Sequence, residues 1–336
     1  MERMKSRFPA AAVLAGMVLL GAGCSAHAAT PAGGPASPVA ASSALPSPFT
    51  ITARYTAKSL GLDHPTDLTI GPDGNVYVTD RSQRVTVISP GGKVLRRWGK
   101  PGSKPGEFKF IGFDPSTPKY LEGKITAGPG GMVYVSDSGN ARVQVFTPGG
   151  RFVRQFGSYG TGKGQFLHPF DLVVDGTENV YVADDVTQTF TKFSPAGNVI
   201  WTIEGSAATD PDLAGHFHVT SIDAHGRLVV TNDDINRVLY IDPNGHKVDV
   251  FSPSTSGSPS GHVCETTVDA AGTTYVSGCV TTGPTLVYDR AHRLIARWPG
   301  TQYSLLRSPG FGPNGEVFAL ATDGSILKLR ITLPGA

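Results

Sequence analysis

The stretch GPDGNVYVTD, residues 71–80, decides the fold because it comes back five more times: GPGGMVYVSD (128–137), DGTENVYVAD (175–184), DAHGRLVVTN (223–232), DAAGTTYVSG (269–278) and GPNGEVFALA (312–321). With Val78, Val135, Val182, Val230, Val276 and Ala319 as equivalent points, the spacings are 57, 47, 48, 46 and 43 residues. A period of that size is one four-stranded blade of a propeller. Each copy reads as an apolar strand, a glycine turn, the Tyr-Val strand and a second hairpin, such as RVTVISPGGKVLRRWG (84–99) or RVQVFTPGGRFVRQFG (142–157). Pro-x-Gly turns between β-branched and aromatic runs join antiparallel neighbours. One blade cannot bury both faces of its own sheet, so the copies must stack around an axis. The expected fold is all-β: a six-bladed β-propeller of four-stranded antiparallel blades over residues 49–333. The last copy runs out at SILKLRITL (325–333), while an unassigned β-like run, FTITARYTA (49–57), precedes the first. That N-terminal run is expected to complete the final blade and close the ring, which removes an exposed sheet edge.

Outward from the repeats, the chain begins with Arg3, Lys5 and Arg7, followed by an apolar run from Ala10 to Leu20 that is too short to span a bilayer. Residues 1–23 thus read as an export signal. LLGAGCSAHAA (19–29) resembles the lipobox of bacterial lipoproteins, with Cys24 as the residue that carries lipid, although Gly21 stands where leucine is usual. Cleavage after Ala28 is the competing reading. Residues 24–48 are Ala, Pro, Ser, Gly and Thr with almost no charge, a composition that makes a flexible tether. Only Cys24, Cys264 and Cys279 exist. One lipidated cysteine and a Cys264–Cys279 disulfide would account for all three in an oxidising compartment. The expected location is the outer face of the cell membrane, or secretion if the chain is cut after Ala28.

The 336 residues carry 29 Lys and Arg against 27 Asp and Glu, a net charge of +2, which gives no global basic field for nucleic acid. No phosphate-binding loop and no Gly-x-Ser-x-Gly elbow occurs in the repeats. FGSYGTGKGQFLHPFDLVVDGTENVYVAD (156–184) and YVSDSGNARVQVFTPGGRFVRQFG (134–157) resemble NHL repeats. The resemblance is specific in the first three copies and thins in the last three, where NDDINRV (232–238) keeps only part of the pattern. It implies a six-bladed propeller. Proteins of this shape include RNA-binding modules, extracellular sensor domains, peptidyl-amidoglycolate lyases, gluconolactonase-like hydrolases and streptogramin lyases, so fold alone does not choose function.

Registered on the turns, His64, His168, His216 and His262 fall at one position, six places before Ile70, Val174, Ile222 and Val268; Leu121 and Leu305 take it in blades 2 and 6. Three places later come Asp67, Lys124, Asp171, Val219, Glu265 and Ser308. In a propeller this is the start of the innermost strand, where successive blades converge on the axial channel. Two readings follow. The histidines fill the turn between blades and bond backbone groups, or His64, His168, His216 and His262, with His218, Asp67, Asp171 and Glu265, gather around a ligand or a divalent ion such as Zn²⁺ or Ca²⁺. The zinc histidines of the lyase family follow the strand-opening proline, where Thr66 and Phe170 stand here, so that metal set does not transfer. Asp80, Asp137 and Asp184 are expected to pair within their blades, with Arg84, Arg142 and Arg237 following the Tyr-Val strands. The insertion KFIGFDPSTPKYLEGK (109–124), with Phe110, Phe113 and Tyr120, is either a functional loop or one packing its own aromatics.

Two function classes remain. The first is a non-catalytic, monomeric surface propeller binding a peptide, a glycan or another envelope protein at its rim, touching the membrane only through its lipid anchor. The alternative is a metal-dependent hydrolase or lyase working at the channel mouth through His168, His216 and His262, with Asp171 or Glu265 as base or ligand.

Overall fold

The computed structural model describes residues 45, 47–110, 123–205, 210–253, 263–278, 284–298 and 309–333. Leu45–Ala336 form one compact unit. The chain lays down six four-stranded antiparallel sheets. Their innermost strands are Pro65–Ile70, Ile125–Ala127, Pro169–Val174, Phe217–Ile222, Val263–Val268 and Gly310–Phe311. The Tyr-Val segments form the second strands, at Val76–Asp80, Val133–Asp137, Val180–Asp184, Leu228–Asn232, Thr274–Gly278 and Val317–Leu320.

Six separate hydrophobic clusters hold the ring, and each joins two successive blades. Tyr77, Val85 and Val87 of blade 1 pack with Ile125, Val133 and Val135 of blade 2. Val229 and Tyr240 of blade 4 meet Val263 and Val276 of blade 5. The closing junction joins Phe318, Leu320 and Ile326 of blade 6 to Val76, Val78 and Leu62 of blade 1. Phe49–Tyr55 is the fourth strand of blade 6, pairing antiparallel with Ile326–Ile331 so that Phe49 faces Ile331 and Tyr55 faces Ile326. The first and last strands of the propeller therefore share one sheet, as expected.

The tyrosine of the second strand has a repeated structural task. Tyr77, Tyr181 and Tyr275 donate their hydroxyls to Asp73, Asp175 and Asp269 in the turn before them, at 2.8, 3.1 and 3.1 Å. Blade 2 has glycine in that turn, and Tyr134 instead donates to Glu178 of blade 3 at 2.5 Å, the same carboxylate that accepts from Gly130 N at 2.6 Å. Burial, followed by the bond to Glu178, pushes the Tyr134 hydroxyl up to about 12. Glu178 holds φ = +65°, a conformation that costs a non-glycine residue about 1 kcal/mol. That strain is offset by two charge-assisted bonds across a blade junction.

Within blades 1 and 2, Asp80 pairs with Arg84 at 3.2 Å and Asp137 with Arg142 at 2.8 Å. Arg237 does otherwise: it lies 3.6 Å from Asp212, because the second strand of blade 4 ends in Asn232. Asp184 accepts from the main-chain amides of Leu167 and His168. Of the insertion after blade 1, Phe110 is buried and stacks on Phe108 at 4.6 Å. Phe113 and Tyr120 lie outside the described residues, as do Cys24, the tether up to residue 44, His262 and Cys279.

Candidate functional site: a ring of ionisable groups on the axis

Backbone pairing places the candidate residues more sharply than sequence offset does. Asp67 faces Thr79, Asp171 faces Ala183, His218 faces Thr231 and Glu265 faces Ser277, while the Lys124 carbonyl accepts from Ser136 N at 2.9 Å. Those five partners are each the fourth residue of a second strand. Five blades thus deliver one ionisable side chain each to a single level of the channel. His218 reaches it because of a bulge. In blades 1, 3 and 5 the register slips after the first residue of the inner strand, between Pro65 and Asp67, Pro169 and Asp171, and Val263 and Glu265. In blade 4 the slip comes later, between Val219 and Ser221. Equal offsets therefore point to Val219, but the backbone puts His218 in the ring. The regular alternation of Phe217, Val219 and Ser221 with His218 and Thr220 carried that signal.

Around the ring the contacts are unequal. Asp67 Oδ2 accepts from the main-chain amide of Ile125 at 2.9 Å, capping the inner strand of the next blade. Asp171 Oδ2 instead accepts from His218 Nδ1 at 2.8 Å, and its Oδ1 stands 3.3 Å from Lys124 Nζ. Lys124 reaches across the axis to 3.7 Å from Glu265 Oε1 and lies 4.5 Å over the Phe170 ring. Phe170 in turn presents an edge contact to His218 at 5.5 Å. Lys124 is 3% exposed and Asp171 7%, so this is a desolvated cluster. Burial pulls the His218 imidazolium down, but the bond to Asp171 and the charges of Asp171 and Glu265 outweigh burial and the opposing Lys124, and the net direction is up. Behind the ring a cavity of about 280 Å³ runs along the inner strands, from Asp67, Lys124, Asp171 and Glu265 to Ile70 and Phe311.

One ligand atom each from Asp171, His218 and Glu265 lies within 4.8 Å of the others, a spacing suited to a metal ion. Lys124 does not suit one. Its ammonium already stands between the two carboxylates and would repel a dication there. That ammonium offsets part of the charge of the ring's three carboxylates, Asp67, Asp171 and Glu265.

The three repeated histidines among the described residues do not come together. His64 pairs with Asp63 at 2.8 Å on the surface. His168 is buried, with Nδ1 2.6 Å from Asp185 Oδ1, and stacks on Phe170 at 5.8 Å. His216 lies 3.2 Å from Asp234 and is exposed. Each takes a carboxylate from its own blade. Cys264 Sγ falls within 4.8 Å of ligand atoms of His218 and Asp233; its expected partner, Cys279, is outside the described residues.

Six four-stranded blades sealed by the N-terminal strand make the chain a six-bladed β-propeller. A family model described as "6-bladed beta-propeller" matches residues 126–204. The chain is similar to RING finger protein nhl-1 of Caenorhabditis elegans, 44% identical over 68 residues, which is 20% of this chain and 6% of that protein. It is also similar to peptidylglycine alpha-amidating monooxygenase of Rattus norvegicus, 33% identical over 135 residues, covering 36% and 12%. Protein brain tumor of Drosophila melanogaster is 28% identical over 143 residues, covering 40% and 13%. The chain thus spans a small fraction of each of these relatives. Among solved structures, virginiamycin B lyase from Staphylococcus aureus superposes with a TM-score of 0.56 at 10% identity, over 84% of this chain and 100% of that one. A catalytically inactive form of that lyase with quinupristin gives 0.56 at 13% identity, over the same shares. At such identities these likenesses are of fold.

Proposed function

We propose that the protein is an exported, lipid-anchored propeller that binds a polar ligand, such as part of a peptide, a glycan or an envelope protein, at the mouth of its axial channel. One observation carries this reading: five blades converge an ionisable group on one level beside a cavity, and Lys124 takes the place a metal ion would need. Desolvated, mutually fixed charges recognise a polar partner with little reorganisation. Lipidation of Cys24 and a Cys264–Cys279 disulfide belong to the same proposal and are supported by the leader and by the cysteine count.

The test is metal analysis of two purified proteins. Wild type is expected to hold no stoichiometric Zn²⁺ or Ca²⁺ after dialysis, while Lys124→Ala, which frees Asp171, His218 and Glu265, is expected to gain a Zn²⁺ site. One firmly held ion in wild type would sink this reading and favour the metal-dependent hydrolase or lyase. A second reading draws on the Asp171–His218 pair. A carboxylate on Nδ1 fixes the tautomer and leaves the other ring nitrogen as a base, an arrangement fit for lyase or hydrolase chemistry without a metal.

A further inference from the structure

The net charge of +2 conceals a strong segregation. From Arg81 to Lys163, which spans the outer half of blade 1, all of blade 2 and the loop into blade 3, there are fourteen Lys and Arg against four Asp and Glu. From Gly164 to Asp289, blades 3 to 5, there are four against sixteen. The basic side resumes from Arg290 through blade 6, with six against two. A propeller places consecutive blades side by side, so these are opposite sectors of one ring rather than an abstract pattern along the chain.

In the basic sector, Arg81, Lys93, Lys109, Arg151 and Lys163 are exposed, and none has an ion-pair partner among the described residues. Exposed apolar side chains follow or precede three of them closely in the chain. Leu95 on the outer strand of blade 1 is 42% exposed, Val153 on that of blade 2 is 39%, and Tyr159, four residues before Lys163, is 68%. Cations interleaved with exposed aliphatic and aromatic side chains are what a headgroup layer accepts.

We propose that the outer wall of blades 1 and 2 docks on an anionic lipid surface, so that the propeller stands on edge with its acidic sector turned away. The chain enters the ring through Phe49–Tyr55, the outer strand of blade 6, which is next to blade 1. This rests on the reading that the protein is anchored at a membrane, and takes membrane contact beyond the lipid anchor alone. Each Lys or Arg held near an anionic surface tightens binding by about five-fold. The attraction is confined to about 8 Å at physiological salt, which only direct docking satisfies.

The experiment uses the full chain after its leader, with Cys24→Ser so that no lipid is attached, and vesicles of phosphatidylcholine with or without one-third phosphatidylglycerol. Binding is expected to the anionic vesicles only, and to weaken as salt is raised. The variant Lys93→Glu/Arg151→Glu/Lys163→Glu is expected to lose about a hundred-fold or more, three residues at about five-fold each. Its three sites are exposed, so an unchanged circular dichroism spectrum and melting temperature show that it folds. Asp234→Lys, in the acidic sector, is expected to bind as wild type does. Equal binding to both vesicle types, or full binding by the triple variant, overturns the proposal. Capture by a soluble polyanion without vesicle binding overturns it too, as does salt-sensitive oligomerisation pairing basic to acidic sectors. Acylation of Cys24 is read separately by mass spectrometry of the native protein, so failure of the anchor and failure of the docking wall are distinguishable.

Discussion

Blades 1 and 3 open their inner strands almost alike, HPTDLTI at 64–70 and HPFDLVV at 168–174, yet the two do different work. Asp67 and Asp171 sit at the same register, each two residues past a proline and a bulge. Asp67 caps the amide of Ile125, a task of scaffolding. Asp171 holds the imidazole of His218 and faces the ammonium of Lys124. Their histidines diverge as well: His64 is on the surface with Asp63, whereas His168 is enclosed against Asp185. The cause lies outside both blades. Each inner strand leans on the next one round the ring, so a residue's role is set by what the neighbour presents: a free strand amide from blade 2, a histidine from blade 4. Near-identical repeats can therefore carry unlike chemistry.

The largest effect that tests this contrast is on stability at Asp171. Asp171→Ala leaves Lys124 and His218 buried without their shared counter-charge, and breaking a buried pair costs about 3–5 kcal/mol. Asp171→Asn should recover little of it, because the charge is what the ammonium needs. The midpoint of urea unfolding measures both. At Asp67 the loss is smaller: Asp67→Ala removes an acceptor from one strand amide and is expected to cost about 1–3 kcal/mol. Asp67→Asn, whose side-chain carbonyl still accepts, should restore most of that. If Asp67→Ala and Asp171→Ala cost the same, or if the two asparagine variants behave alike, the division between scaffold and site fails.

The fold was legible because it rests on what a sequence carries openly. Six copies of the Tyr-Val strand, their glycine turns and a β-like run before the first copy are local patterns, and the closed ring follows from their number. The site was legible only in part. Asp67, Asp171 and Glu265 come forward from counting, since their blades place the bulge alike. His218 comes forward too, two residues past His216, but the delayed bulge of blade 4 conceals that it, rather than Val219, holds the ring register; Lys124 gains its importance only by meeting Asp171 and Glu265. A contact between opposite blades is not written in local periodicity, and the late bulge leaves there only the alternation of Phe217, Val219 and Ser221 with His218 and Thr220. For the same reason the repeated histidines look like one set in the sequence, whereas His64, His168 and His216 each meet a carboxylate of their own blade.

The subtlest way to sharpen the contrast is pH. Burial works against a charged His218, but Asp171, as hydrogen-bond partner and as charge, then Glu265, more than compensate, so the folded protein holds that proton above the ordinary value of 6.5. A group whose folded value is raised contributes stability that is complete below its unfolded value and disappears as pH climbs through the folded one. The stability difference between wild type and His218→Gln should therefore be greatest below about pH 6.5 and shrink as pH rises beyond it. Urea midpoints for both proteins across that interval measure the difference directly, and using a difference removes titrations common to the two. A flat His218 difference would mean that the proton is not held where the Asp171–His218 geometry places it.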